Sequence, residues 1–414
     1  MAATSETRHG LRSLLPLLAE HPGLDELLGR RTASLAVPDA ARAPAVAGLS
    51  AASSRRPLLV AVPTRTEAES LAADLAAFLG PDEVEELPAW ETLPFERVSP
   101  SIHTMGRRCR VLHRMTDPAV TPAVVVASAR AVAQFVSEAK AAAPINLSVG
   151  DSVDQSALVR RLSEFGYHRE HQVEHRGEMA VRGSIVDVYP STASAPVRID
   201  FWGDDIDRVV EFSVGDQRST NPLDHLEVYP ARELRPDGPM RRRAAGLVAS
   251  QPWGREQWDR LADGEFFEGM ESWWPWLVDR PAVVPALLGA GGALAVVEPR
   301  RLADRVSEIL AEEADLAAGL AKTWNTDAAG MPPLHAGYDQ LVAAAASPVW
   351  ELPAVPDSVG APALGASGWD RVHGNVEPLA ARLRELSGRG YRVVLGAPGG
   401  AAARRSGLLA EHGA

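Results

Sequence analysis

The chain has 414 residues, a formal net charge of −12, 46% hydrophobic residues and 23% charged residues, which is an ordinary globular composition with an acidic balance. This length is too great for one hydrophobic core and predicts about two to four domains. The acidic balance argues against a surface built as a whole to bind nucleic acid. A single cysteine, Cys109, excludes an internal disulfide framework and any multi-cysteine metal site, and it favours a cytoplasmic location.

Neither of the two most apolar stretches has the character of a membrane segment. Acidic and helix-breaking residues interrupt the N-terminal apolar run, so it lacks the layout of a signal peptide. Residues 281–297 are uncharged, but Pro285 and three glycines break the run, which indicates a loop that leads into a buried strand. We therefore expect a cytoplasmic chain without membrane contact.

Strand and helix patterns alternate through residues 1–144. The run RPLLVAVP at 56–63 is continuously apolar, which is typical of a buried parallel strand, and the helix-spaced TRTEAESLAADLAAFLG follows it. A helical GRRCRVLHRM at 106–115 then precedes a second apolar run, AVVVASA at 123–129. This alternation predicts the first part of an α/β domain with a parallel sheet.

The pattern changes between residues 145 and 232. One helix, LVRRLSEFGY, precedes alternating strand patterns near 178–189 and 196–213, which predicts a smaller α+β insertion. The α/β pattern returns over 233–348 with the strand ALAVVEP and a long helix after it. Residues 349–365 are rich in proline, glycine and alanine and predict a linker, and 366–414 predict a partial further α/β domain.

Two patterns that suggest enzyme chemistry are weak. The segment HQVEH, with His171 and His175, matches an inverted zinc-hydrolase motif, but glycines bracket it closely and no third ligand is evident. We expect a solvated connector there and no metal. A phosphate-binding loop of the form G-x-x-x-x-G-K-[ST] does not occur in the sequence, so ATP hydrolysis by these residues is not expected.

The most informative pattern is PVRIDFW at 196–202. The strand period places alternate residues on opposite faces, and the apolar set belongs to the core: Val197, Ile199 and Phe201. Arg198, Asp200 and Trp202 share the other face, and Arg182 in the preceding strand can join them across the hairpin.

Two arginines beside an exposed tryptophan have the composition of a protein–protein hot spot. The pattern equally allows a solvated face on which Arg198 pairs with Asp200 and Trp202 lies flat on the surface. Periodicity alone leaves both interpretations open.

Four blocks of sequence closely resemble the N-terminal region of the bacterial transcription-repair coupling factor family. They are LPAWETLPFERVSPS at 87–101, GEMAVRGSIVDVYP at 177–190, VRIDFWGDDIDRVVEFSVGDQRS at 197–219 and FFEGMESWWPWL at 266–277. The resemblance implies a module similar to the excision-repair protein UvrB: a degenerate RecA-like domain split by an α+β insertion that binds UvrA. Its UvrA-binding surface uses two arginines and an aromatic residue, which the motifs place at Arg182, Arg198 and Trp202.

The resemblance also implies that the ATP site is eroded. The place of the phosphate loop falls on VPDAARAPAVAGL at 37–49, which lacks the lysine and the glycine pair. The place of the acidic magnesium motif holds Glu298, followed by Pro299 and two arginines. The hairpin under which UvrB threads DNA has no room after Pro100. We therefore expect no catalytic residues, cofactor or metal in this chain.

The function implied by the resemblance is recruitment of UvrA, not catalysis. In the full-length family protein, motor domains that use ATP and magnesium are expected beyond residue 414. That protein moves along double-stranded DNA, displaces stalled RNA polymerase and delivers UvrA to the lesion, and its C-terminal domain is expected to mask the UvrA surface. The alternatives are a UvrB-like damage-recognition ATPase that binds DNA and, more remotely, a zinc hydrolase at HQVEH.

Overall fold

The computed structural model describes residues 11–137, 142–278, 281–327, 330–366, 376–395, 407 and 409–411. The strands are β1 (Thr32–Ser34), β2 (Leu58–Val62), β3 (Val84–Leu87), β4 (Val124–Ser128), β5 (Val136–Ser137), β6 (Ile145–Ser148), β7 (His168–Arg169), β8 (Glu178–Arg182), β9 (Ile185–Val188), β10 (Val197–Trp202), β11 (Asp205–Phe212), β12 (Ser219–Leu223), β13 (His225–Val228), β14 (Pro281–Ala282), β15 (Ala293–Val297) and β16 (Val349–Leu352). The helices are α1 (Leu15–Ala19), α2 (Arg42–Ser53), α3 (Arg65–Leu79), α4 (Ile102–Thr116), α5 (Ala129–Ala133), α6 (Gln155–Glu164), α7 (Gly238–Ser250), α8 (Arg255–Asp263), α9 (Trp274–Leu277), α10 (Pro299–Trp324), α11 (Tyr338–Ala344) and α12 (Glu377–Gly388). Short 3-10 helices occupy Leu11–Leu14, Pro22–Glu26, Asp39–Ala41, Pro81–Glu83, Pro252–Gly254, Met270–Trp273 and Val284–Leu288.

A parallel sheet of six strands, in the order β1-β16-β15-β2-β4-β3, forms the larger part of the fold. Its central strands are apolar throughout because both faces of the sheet are covered. In β2, Leu59 and Ala61 pack into the core on one face, whereas Leu58, Val60 and Val62 pack into a separate core on the other. This explains the continuous apolar runs, and it confirms the predicted parallel α/β sheet.

The predicted linker is wrong at its beginning. Residues Val349–Leu352 form β16, which lies inside the sheet between β1 and β15. Four residues make too short a run for the sequence to distinguish a strand from a connector. The rest of the predicted linker comes back to the chain just after β1. There the Ala36 N–H donates to the Pro362 carbonyl, and the Leu364 N–H donates to the Ala36 carbonyl, both at 2.9 Å.

The expected further α/β domain at 366–414 is described only in part. Helix α12 occupies Glu377–Gly388, as the pattern predicted, and residues 391–395 form no strand. Most of the glycine-rich sequence that follows, residues 396–406, lies outside the described residues. Within the described ranges, no helix is both long enough and apolar enough to cross a membrane.

The smaller unit lies between β6 and β13, which pair antiparallel so that the chain enters and leaves it through adjacent strands. Its main sheet has the order β12-β11-β10-β9-β8-β7, antiparallel except for the pair β7 and β8. Helix α6 contributes Leu158 and Leu162 to a core on one face of that sheet. We call this unit the inserted domain.

The inserted domain packs against helix α4 of the larger domain. A Cβ added at Gly106 would lie 2.3 Å from the Ser191 Oγ, so the Ser191 side chain packs against the α4 backbone at a distance that only glycine allows. The ring of His103, three residues earlier, contacts the Ser191 carbonyl at 3.3 Å. The contact therefore fixes one side of the inserted domain.

Two buried ion pairs fix the other side, where the chain leaves the inserted domain. Arg232 donates to Glu271 at 2.9 Å, and its neighbour Glu233 accepts from Arg108 at 2.7 Å. The Arg108 guanidinium also lies 5.9 Å from the centre of the Trp90 ring. Burial raises the pKa of Glu271, because desolvation disfavours the charged carboxylate even beside Arg232.

We expect Gly106→Ala to destabilise the chain by roughly 1–3 kcal/mol, because the added methyl group overpacks the contact with Ser191. The measurement is the midpoint of urea unfolding. Gly246→Ala in α7 is the matched control, since a Cβ there meets nothing within 4 Å. That control should gain up to about 1 kcal/mol from helix propensity. Equal midpoints for the two variants would contradict the close packing.

Candidate protein-docking surface

The predicted site residues lie on two strands of the inserted domain, β8 and β10, which flank β9. Arg182 ends β8 opposite Ile185, and Trp202 ends β10 opposite Asp205. Two-residue turns follow each of them, and in both turns a glycine takes a left-handed conformation, with φ of 61° at Gly183 and 64° at Gly203. Because β8 and β10 run in the same direction beside β9, both turns lie at the same end of the sheet.

The strand alternation is confirmed for the core side of β10. Its apolar residues are buried in the main core of the inserted domain: Val197, Ile199 and Phe201. Trp202 has 83% of its surface exposed. Among the described residues, no other tryptophan is exposed. An indole this open to water is uncommon, since large apolar side chains normally lose most of their surface on folding.

Arg198 departs from the prediction, because its own chain already binds it. The side chain is only 15% exposed. Its Nε donates to Asp187 Oδ1 at 2.7 Å, its Nη2 donates to Asp187 Oδ2 at 2.9 Å, and its Nη1 donates to the Gln217 carbonyl at 3.3 Å. The guanidinium also lies 4.7 Å from the centre of the Phe212 ring. Hydrogen bonding to Asp187 raises the pKa of Arg198 above its ordinary value.

The alternative pairing of Arg198 with Asp200 is also wrong. Asp200 binds Arg208 instead, at 2.7 Å across the β10–β11 pair. Arg182 is intermediate between the other two site residues: its side chain is 46% exposed, and its Nη2 donates to the same Asp187 carboxylate. The structure thus brings the two arginines together and places Trp202 apart from that ion cluster, beyond the Asp200–Arg208 pair.

The residue that the sequence analysis missed is Asp187. It lies directly opposite Arg198 in the β9–β10 pair and is fully buried. A single acid in the apolar strand IVDV was the available signal, because its alternation puts it on the same side as Arg198. The burial itself was not visible in the strand pattern. It arises because a second small core covers part of this face: Val173, Ala180, Tyr189 and Phe212.

The HQVEH segment does not have the geometry of a zinc site. It forms bends and irregular structure between β7 and β8, so His171 and His175 are not placed one helical turn apart. Val173 is buried, and the His175 ring contacts Glu178 at 3.1 Å. Across the described ranges, no group of three histidine, cysteine, aspartate or glutamate side chains is arranged to hold a metal ion.

The two segments expected from an eroded ATP site do meet in space. Arg42, at the start of α2, forms an ion pair with Glu298, which follows β15. Asp39 also pairs with Arg42, at 2.6 Å. The Glu298 backbone is left-handed, with φ of 51°, immediately before α10. The Arg42 guanidinium, with its side chain 11% exposed, therefore lies near the end of β15.

Comparison with known proteins agrees with this geometry. Residues 145–234 match the family described as the UvrB interaction domain. The chain is 35% identical to the transcription-repair-coupling factor of Mycobacterium bovis over 404 residues, which covers 88% of this chain and 32% of that protein. It is 34% identical to the Myxococcus xanthus factor over 269 residues, or 61% of this chain and 22% of that protein.

This chain is a relative of the transcription-repair-coupling factors. The resemblance recognised in the sequence is confirmed, with 30% identity to the Bacillus subtilis factor over a further, shorter match of 202 residues. The chain spans about a third or less of the length of these coupling factors. The matched UvrB interaction domain covers β6 to β13, and so it contains all of Arg182, Asp187, Arg198 and Trp202.

We expect Arg198→Ala to destabilise the inserted domain by up to about 3–5 kcal/mol, since the buried Asp187 would lose its main partner. Arg208→Ala on the same sheet is the control, because its ion pair with Asp200 is exposed and should contribute less than about 1 kcal/mol. Thermal unfolding followed by circular dichroism measures both, and equal melting temperatures would contradict the bracing role of Arg198.

Proposed function

We propose that this chain recruits the excision-repair protein UvrA through the water-facing side of its inserted sheet. The observation that carries the proposal is Trp202, an exposed indole at the same sheet end as Arg182. An aromatic side chain supplies apolar contact area, and an arginine supplies directional donors, as in protein–protein hot spots. The match to the UvrB interaction domain supports the assignment, because it covers the insertion to which the sequence resemblance assigns UvrA binding.

The three site residues then have different roles. Trp202 contacts UvrA with its ring, and Arg182 donates from the part of its guanidinium that is open to water. Arg198 is largely buried, so it acts mainly by shaping the surface. The ion cluster of two arginines and one aspartate keeps one net positive charge, which suits an acidic or carbonyl group on the partner.

The larger domain, in this proposal, is a degenerate RecA-like scaffold without ATPase activity. Strand β16 separates β1 from β15, and the segments after β1 and β15 meet at the carboxyl edge of the sheet, where α/β proteins bind ligands. The Arg42–Glu298 pair fills that place. A site for nucleotide phosphates and magnesium needs open backbone N–H groups, a lysine and free carboxylates, which this segment does not supply.

Within a full-length coupling factor, we propose that the recruitment module works beside a separate motor. That motor would use ATP and magnesium to move on double-stranded DNA and to displace stalled RNA polymerase. The exposed surface around Trp202 would be masked by a C-terminal domain until the polymerase is engaged. The names of the relatives support this context, since they join transcription to repair.

We expect Trp202→Ala and Arg182→Ala each to weaken UvrA binding by roughly 1–4 kcal/mol, as truncations of hot-spot residues do. Isothermal titration calorimetry with purified UvrA measures the affinity. Arg65→Ala in α3 is the control for loss of an exposed arginine, because its ion pair with Glu69 lies far along the chain in the larger domain. Wild-type affinity in both site variants would contradict the proposed surface.

We expect ATP with magnesium to leave the melting temperature of the chain unchanged, because a ligand stabilises a protein only when it binds the folded state. Differential scanning fluorimetry over a series of ATP concentrations provides the measurement. A melting temperature that rises with ATP concentration would contradict the eroded site and would favour the UvrB-like ATPase instead. Sodium sulfate at matched ionic strength controls for general salt effects.

A further inference from the structure

The carboxylate of Asp187 is shared by both predicted arginines. Asp187 lies in β9, between β8, which carries Arg182, and β10, which carries Arg198. It has no exposed surface. A buried carboxylate is stable only when several donors compensate its lost hydration, and here three nitrogens of the two guanidinium groups do so.

The two arginines use that carboxylate differently. Arg198 donates from all three of its nitrogens to its own chain and is mostly buried. Arg182 donates only from Nη2 in the hydrogen bonds of the described residues, and nearly half of its side chain is exposed. The bond from Nη2 to Asp187 therefore fixes the guanidinium group, while the other N–H groups of Arg182 stay available to another molecule.

We propose that Asp187 is the positioning residue of the docking surface, and that it holds the Arg182 guanidinium in the orientation that UvrA recognises. This inference rests on the proposed function. The partner feature that fits is a carboxylate or carbonyl acceptor for Arg182, in the same surface as an apolar recess for Trp202. A long flexible arginine loses rotamer freedom when it binds, and a donor that is already fixed avoids much of that loss.

A charge-only account of this surface makes the opposite prediction. Asp187 carries a negative charge beside two arginines, so its removal raises the net charge of the cluster from one positive charge to two. If attraction to an acidic partner were all that mattered, Asp187→Asn would bind more tightly. If Asp187 orients Arg182, the same variant binds more weakly, since Asn offers one uncharged oxygen to the three guanidinium nitrogens that donate to Asp187.

The experiment compares Asp187→Asn with Asp200→Asn in the full 414-residue chain. Both changes remove one negative charge from the same face of the sheet, but Asp200 pairs with the exposed Arg208 and does not contact Arg182. We expect the UvrA dissociation constant to rise about tenfold or more for Asp187→Asn and to stay within about twofold for Asp200→Asn. Unchanged or tighter binding by a folded Asp187→Asn would overturn the proposal.

A double-mutant cycle separates positioning from a general loss of stability. In the native background, Arg182→Ala should weaken UvrA binding about tenfold or more. In the Asp187→Asn background the same change should have little further effect, because Arg182 is no longer oriented. A merely structural Asp187 would leave the full Arg182→Ala penalty in place, and that result would overturn the proposal.

A measurement without UvrA tests the geometry if Asp187→Asn proves unstable. In the wild-type chain, the Arg198 Nε–H should give a slowly exchanging NMR signal because it is bonded to a buried carboxylate. Rapid exchange of that proton would overturn the arrangement. Failure of the wild-type chain to bind UvrA would overturn the proposed function and the docking role of Asp187 together, whereas normal binding by Asp187→Asn overturns the role of Asp187 alone.

Discussion

The orientation of the inserted domain depends on two adjacent residues of opposite charge, Arg232 and Glu233. Arg232 reaches the buried Glu271 on one side, and Glu233 reaches the buried Arg108 on the other. Each pair is desolvated, so breaking it would leave a charge without compensation. Together with the contact of α4 at Gly106, these pairs attach the inserted domain to α4 and to the short helix Met270–Trp273 of the larger domain. A docking surface on that domain is therefore presented in a fixed direction.

The docking surface itself combines a buried and an exposed part. The buried part is the Asp187 carboxylate with Arg198 stacked on Phe212, and it has the character of a core. The exposed part is Trp202, with the outer portion of Arg182. Side chains that contact a partner lose less rotamer entropy on binding when neighbouring buried residues already hold them in position. In the proposed function, this arrangement serves a small sheet that recognises its partner without a deep pocket.

The larger domain carries an ion pair at the carboxyl edge of its parallel sheet. The parallel order of β1, β16 and β15 still brings two strand ends together at the edge where α/β proteins bind ligands. Arg42 and Glu298 now compensate each other there. The stability of the sheet comes from its two covered faces, and that source does not depend on a bound nucleotide.

The sequence by itself determined the parallel sheet, the inserted domain and the alternation of β10, because apolar runs and strand periods are local patterns. It also determined which residue types form the candidate site. Only the tertiary structure decided that residues 349–352 join the sheet and that Arg198 is largely buried beside Asp187. Both outcomes depend on segments distant in sequence that pack across a strand, such as the turn at Gln217, and periodicity carries no information about such neighbours.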